Sequence, residues 1–208
     1  MENSTKIFCI GYNKAGTTSL YHAILELGFK GCDLQHGEFL LWDILNNDWS
    51  KLEDFCKTAE VFKDIPFSLP NVWKKVYQMY PNAKYILSER DSTEQWYNSI
   101  TKFHKKVFNL SSDPSWKEVQ NIEYRYIRND GNGGCISDYL TYIHDEHTEK
   151  PYDKTSLHKS YESHNKEVKE FFKDKDNFIS VNVANNDDYI KLRKFLNKPI
   201  GFPHLMKT

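Results

Sequence analysis

The chain has 208 residues, with 28 Lys and Arg against 29 Asp and Glu, and a formal net charge of −1. That length suits one well-packed domain over residues 1–208, and the balanced charge gives no drive toward nucleic acid or an anionic membrane surface. Aromatic residues are plentiful (13 Phe, 13 Tyr, 5 Trp), which predicts a packed interior.

The four cysteines, Cys9, Cys32, Cys56 and Cys135, form no C-x-x-C pair and show no metal-ligand spacing. Free thiols in a reducing compartment are the expectation. The opening residues MENSTK are polar, and the apolar run after them is too short for a signal peptide or a membrane span. A cytoplasmic protein is therefore expected, with the sequons at Asn3 and Asn109 unused.

Ile7 to Ile10 is an apolar run of strand type. A glycine turn follows, Gly11 to Gly16, and then Leu20, Ala23, Ile24 and Leu27 recur on one face of a helix. Strand, glycine turn and helix aim backbone N–H groups and a helix N-terminus at one spot, which attracts anions. A nucleotide-triphosphate loop has its lysine directly after the second glycine. Here Thr17 stands there, the lysine lies inside the loop at Lys14, and three hydroxyls follow: Thr17, Thr18 and Ser19. Such a loop suits a phosphate and is poorly arranged for a magnesium triphosphate.

Two short helices are expected at Glu38 to Asn46 and Trp49 to Cys56, with Leu40, Leu41, Ile44 and Leu45 on one side. Val61 and Phe62 read as a buried strand ended by Ile65-Pro66. Asp64 then falls at the carboxyl end of that strand, where ligands bind in open α/β sheets. A strand would send Lys63 and Asp64 to opposite faces, a rule that relaxes at a strand end. A helix follows at Leu69 to Tyr80, then a strand at Ala83 to Glu89. Arg90 stands directly after it, with Ser92 and Thr93 as candidate caps of a helix through Trp96, Ile100 and Phe103.

A helix is expected from Trp116 to Arg128, on which Arg125 and Arg128 lie one turn apart and form a solvated face or meet an anionic acceptor. The glycine cluster at 129–134 reads as a surface loop or as a mobile lid over an acceptor site. Ile136 to Thr148 reads as a helix whose His144 and His147 belong to a charged face rather than to a metal site. A long helix at Lys154 to Phe172, a strand at Phe178 to Val183 and a helix at Asp187 to Leu196 complete the pattern. Alternating strands and helices predict an α/β fold, a parallel β-sheet flanked by helices.

The run GYNKAGTTSL resembles the 5′-phosphosulfate-binding loop of sulfotransferases that use 3′-phosphoadenosine 5′-phosphosulfate. The run NAKYILSERDSTEQWYNSI is similar to that family's 3′-phosphate-binding region, and the C-terminal arrangement, with YESHN, KFL and FPH, is similar to a branch of small sulfotransferases. The resemblance implies that Lys14, Ala15, Gly16, Thr17, Thr18 and Ser19 cradle the 5′-phosphosulfate. It also implies that Arg90 and Ser99 hold the 3′-phosphate; the usual spacing lands on Asn98, which offers the same bond. The implied reaction is metal-independent transfer of a sulfuryl group from that donor to a hydroxyl on a small-molecule or glycan acceptor. Lys14 is the implied charge-neutralising catalytic residue, and Asp64 is the candidate base, with His36 and His22 in reserve. Two other readings stay open: a P-loop nucleotide kinase or NTPase with a deviant loop, and a non-catalytic nucleotide-binding module.

Overall fold

Side chains along a strand alternate between faces, and in this chain the alternation separates aromatic from aliphatic residues. The computed structural model describes residues 5–128, 133–144 and 147–198. Strand β1 (Ile7–Cys9) pairs in parallel with β2 (Val61–Phe62) on one side and with β3 (Lys84–Ser88) on the other. Strand β3 pairs in parallel with β4 (Phe178–Val181), so the sheet order is β2-β1-β3-β4. Around the sheet lie α1 (Thr17–Glu26), α2 (Leu34–Leu45), α3 (Ser50–Lys57), α4 (Val72–Met79), α5 (Thr93–Val107), α6 (Trp116–Gln120), α7 (Cys135–Ile143), α8 (Lys154–Phe172) and α9 (Asn186–Phe195). The protein is an α/β fold on an all-parallel sheet.

Register places Phe62, Phe8, Tyr85 and Phe178 in one row across the four strands. Phe8 lies 5.2 Å from Phe62 and 5.6 Å from Tyr85, ring centre to ring centre. Phe67, Tyr80 and Phe172 cover that row at 5.0 to 5.6 Å. The opposite face is aliphatic: Ile7, Cys9, Val61, Ile86 and Val181 pack against Leu20 and Ile24 of α1 and Leu192 of α9. Burying both faces leaves the strand ends as the place where polar groups reach solvent.

The chain leaves β1 toward β2 on one side, whereas β3 is followed by β4 on the other. The carboxyl ends of β1 and β3 therefore flank the point where strand order reverses, the position at which open α/β sheets bind ligands.

Several expectations need correction. Helix α2 begins at Leu34, four residues before the expected start, because Asp33 caps it by accepting from the backbone N–H of Gln35 and of His36. Leu45 is exposed rather than on the buried side. Helix α4 starts only at Val72, since Pro70 and a left-handed Asn71 precede it. The expected helix over 116–128 stops at Gln120; the following segment runs through turns and bends, Arg125 is left-handed, and Ile127 bridges Gly134. Helix α7 ends at Ile143, and His144 is buried, bonded to Ser156 Oγ at 2.7 Å and to the Pro151 carbonyl at 3.0 Å, not part of a charged face. Asp145 and Glu146, residues 129–132 of the expected lid and residues 199–208, with the FPH run, lie outside the described residues. All four cysteines are buried and free, as expected.

Two buried histidines report on folding. His164 of α8 donates Nε2–H to the Ile10 carbonyl at 2.8 Å, and His104 of α5 meets the Tyr152 hydroxyl at 2.9 Å. Burial pushes both down to about 4, with the Lys14 charge adding to the effect on His104. Between pH 6.5 and 4 the unfolded chain then binds protons that the folded chain refuses. Their contribution is full above pH 6.5 and falls with pH by up to about 1.4 kcal/mol per unit for each histidine. Urea unfolding between pH 4.5 and 6.5 is expected to show a slope shallower by nearly one proton in His164→Gln than in the wild type; equal slopes would contradict it.

Candidate active site

The loop after β1 is shaped by close approach. A Cβ on Gly11 would sit 2.5 Å from the carbonyl oxygen of Ser88, the last residue of β3, so only glycine lets the two strand ends adjoin. Gly16 has φ +89°, a left-handed conformation that costs a side chain steric strain. A Cβ there would also strike Val183, beyond β4, at 2.4 Å. Lys14 is left-handed too, with φ 70°. Helix α1 starts at Thr17 without a side-chain cap, because its capping residue is Gly16.

Neighbouring elements hold the loop by its carbonyls. Trp96 of α5 donates its indole N–H to the Asn13 carbonyl at 2.9 Å. Arg90, just beyond β3, donates Nε–H to the Lys14 carbonyl at 2.9 Å. The Arg90 backbone N–H in turn donates to the Tyr161 hydroxyl at 3.0 Å. Tyr161 stacks on Trp96 at 4.5 Å, and Tyr12 packs edge-on against Tyr161 while its hydroxyl meets Ser160 Oγ at 2.9 Å. Loop, Arg90 and α8 thus form one braced unit. A cleft of about 540 Å³ beside Arg90 is lined by Ser92, Tyr161, Asn165, Lys166 and Lys169 among others.

Asp64 sits at the end of β2 with φ 57°. That left-handed turn brings Lys63 and Asp64 together instead of sending them to opposite faces. Lys63 Nζ donates to Asp64 Oδ2 at 2.5 Å, and Thr17 Oγ1 donates to Asp64 Oδ1 at 2.8 Å. Lys63 is only 4% exposed. Lys63 is thus the cation bonded to the carboxylate, while Lys14 lies close enough to feel the charges of Asp64, Lys63 and Arg90. Burial lowers the Lys14 pKa from its ordinary value, and the charges of Arg90 and Lys63 lower it further against the opposing pull of Asp64.

Lys14 Nζ stands over the Phe103 ring, 3.5 Å from its centre. Phe103 lies four residues beyond Ser99, and Trp96 three before it, so all three share one side of α5. Asn98 is exposed and donates to Glu94 at 3.2 Å, whereas Ser99 is half-buried on the side that carries Trp96. Glu94 pairs with Lys154 and Asp91 accepts from Asn182, so neither is an ion-pair partner of Arg90. Within the loop Ala15 and Thr17 are buried, Ser19 is half-buried and Thr18 is exposed.

His22 and His36 are both exposed; the His36 ring packs against Phe55 at 5.0 Å and that of His22 lies 6.2 Å from Tyr21. Neither ring is hydrogen-bonded to Asp64 or to the loop among the described residues. Arg125 and Arg128 are not a solvated pair on one helix: Arg125 is bound by Glu38, and Arg128 by Asp138. Among the described residues no cluster of three or more His, Cys, Asp or Glu side chains is arranged to hold a metal ion.

Sequence patterning assigns no site role to Lys63, Tyr161 or His164. Tyr161, His164 and Asn165 are spaced to share a helix face, but nothing local says that this face meets the loop. Lys63 carried a better signal, since a lysine directly after a buried strand, if itself buried, needs an anionic partner.

A protein-family model described as a sulfotransferase domain matches residues 6–208. No curated protein matches the chain.

The Gly11–Ser88 contact makes a prediction. Gly11→Ala must push β1 and β3 apart at their carboxyl ends, and is expected to cost about 1–3 kcal/mol of stability, the usual cost of overpacking. Urea unfolding would measure it, and an unchanged midpoint would refute the close-approach account.

Proposed function

From the premise that the chain belongs to the sulfotransferase domain family, we propose that it transfers a sulfuryl group from 3′-phosphoadenosine 5′-phosphosulfate to an acceptor hydroxyl by metal-independent in-line displacement. One observation carries the choice of donor: the glycine loop and Arg90 lie side by side at the β1–β3 crevice, joined by the Arg90 Nε to Lys14 carbonyl bond. That arrangement suits a nucleotide bearing anionic groups at both its 5′ and 3′ positions. The left-handed Gly16, the capless start of α1 and the excess of cations fit a phosphate cradle.

In this reading Ala15, Gly16, Thr17, Thr18 and Ser19 hold the 5′-phosphosulfate through N–H groups and hydroxyls. Arg90 and Ser99 hold the 3′-phosphate, where a rigid guanidinium fork matches a phosphate better than an ammonium does. The donor supplies an activated sulfuryl group; the protein supplies alignment and charge. Asp64 accepts the acceptor's hydroxyl proton as the new S–O bond forms. Lys14 neutralises the bridging oxygen, which departs with the electron pair of the broken S–O bond on adenosine 3′,5′-bisphosphate. Protonated Asp64 then returns its proton to water. A sulfuryl group carries less charge than a γ-phosphate, and the cations already present serve the role that magnesium fills in phosphoryl transfer. The acceptor class is a small molecule or glycan with a free hydroxyl. Asp64 is preferred over His36 and His22 as base because it alone is bonded to the loop.

Calorimetric titration with adenosine 3′,5′-bisphosphate, with and without magnesium, tests the donor. Binding independent of metal is expected, weakened by at least about 1.5 kcal/mol in Arg90→Ala, the scale of a hydrogen bond to a charged group. Magnesium-dependent binding of ATP without binding of the bisphosphate would replace this reading with a nucleotide kinase.

A further inference from the structure

Both oxygens of the candidate base are already engaged, by partners of different kinds. Lys63 donates to Oδ2, is almost wholly buried, and has the Tyr21 ring 5.3 Å from its ammonium. A buried ammonium does not leave its carboxylate without a large desolvation cost. Thr17, which holds Oδ1, is a neutral hydroxyl at the first position of α1, directly after Gly16. It therefore belongs to the anion cradle and to the base at once.

A hydroxyl has one proton to donate. The oxygens of a phosphosulfate in the loop are acceptors only, as is an ionised carboxylate. Thr17 Oγ1 can donate to Asp64 or to an anion in the loop, but not to both. We propose that Thr17 is a positioning residue that couples the loop to the base, so that the donor binds first and the acceptor second. This inference rests on the donor reading given above. An anion seated in the loop accepts the hydrogen bond from Thr17 Oγ1, and Oδ1 of Asp64 is released to receive the acceptor hydroxyl. Lys63 meanwhile keeps Oδ2 fixed, so the carboxylate is uncovered without being set free to rotate. With the loop empty, Thr17 caps the oxygen that the acceptor needs.

The charge of Asp64 is felt by Cys9 of β1, Lys14 of the loop, Tyr21 of α1, Cys32 before α2 and Tyr139 of α7. Of these side chains, Lys14 is the only one that carries a positive charge, and it points to Phe103 rather than to the carboxylate. Thr17 is thus the one loop side chain bonded to Asp64 among the described residues.

The test is a double-mutant cycle read by calorimetry with adenosine 3′,5′-bisphosphate, which needs neither an acceptor nor turnover. Asp64→Ala removes repulsion of the anion and also frees Thr17 in advance; in a Thr17→Val background only the first effect remains. The gain in affinity from Asp64→Ala is expected to be about tenfold larger with threonine at position 17 than with valine, the scale of one charge-assisted hydrogen bond given up on binding. Thr17→Ser should match threonine. Equal gains in the two backgrounds would overturn the inference while leaving the donor reading intact. No binding to any of the proteins would overturn the donor reading and this inference with it. If Asp64→Ala fails to fold because Lys63 is orphaned, the same cycle in a Lys63→Met background removes that charge and keeps the comparison.

Discussion

The parallel pairing of β1 with β3 is the constraint on which the candidate site depends. It places the residue after β1, Gly11, against the last residue of β3, Ser88, so closely that no Cβ fits between them. The two connections that follow must then diverge, one into the loop and α1, the other through Arg90 into α5. Divergence carries the loop and Arg90 away from the two strand ends, and Arg90 ties the two connections together by holding the Lys14 carbonyl. A slip of one residue in that pairing would turn every β1 side chain to the other face and exchange the aromatic and aliphatic layers.

Rigidity behind the loop comes from aromatic side chains rather than from a longer sheet. Strand β2 has two residues and β1 three, too few ladder bonds to fix a loop on their own. Trp96, Tyr161 and Tyr12 pack as a block, and three polar contacts, indole to Asn13, hydroxyl to the Arg90 N–H and His164 to Ile10, attach that block to the loop and strand ends. Aromatic residues suit this work because they bury large areas and still present a polar edge. Part of the high aromatic content of the sequence is used here and on the Phe62-Phe8-Tyr85-Phe178 row.

Charge at the site is arranged so that the cations are never all free. Lys63 is neutralised by Asp64, Arg90 is anchored through Nε, and Lys14 rests over Phe103. An excess of positive charge that stays partly desolvated favours a multiply charged anion over water, since burial strengthens each interaction. A binding region built only of exposed lysines would attract the same ligands more weakly and lose them to salt.

The sequence by itself determined the loop, the strand–helix alternation and the position of Arg90 at a strand end, because each is local. Glycine spacing, hydrophobic period and an arginine after an apolar run are read from neighbours in the chain. It also carried Asp64 to just past the carboxyl end of β2, because the apolar pair Val61-Phe62 is followed within a few residues by Pro66, which cannot donate to a ladder. The helix misread over 116–128 had good periodicity, but Arg125 is drawn to Glu38 and Arg128 to Asp138, contacts that no window of that segment contains. Only the tertiary structure decided that Thr17 bonds Asp64 across 47 residues, that Arg90 holds Lys14 across 76, and that Tyr161 reaches Arg90 across 71. Those bonds follow from strand order, and strand order is set by which faces can be buried together, a property of the whole chain rather than of any stretch within it.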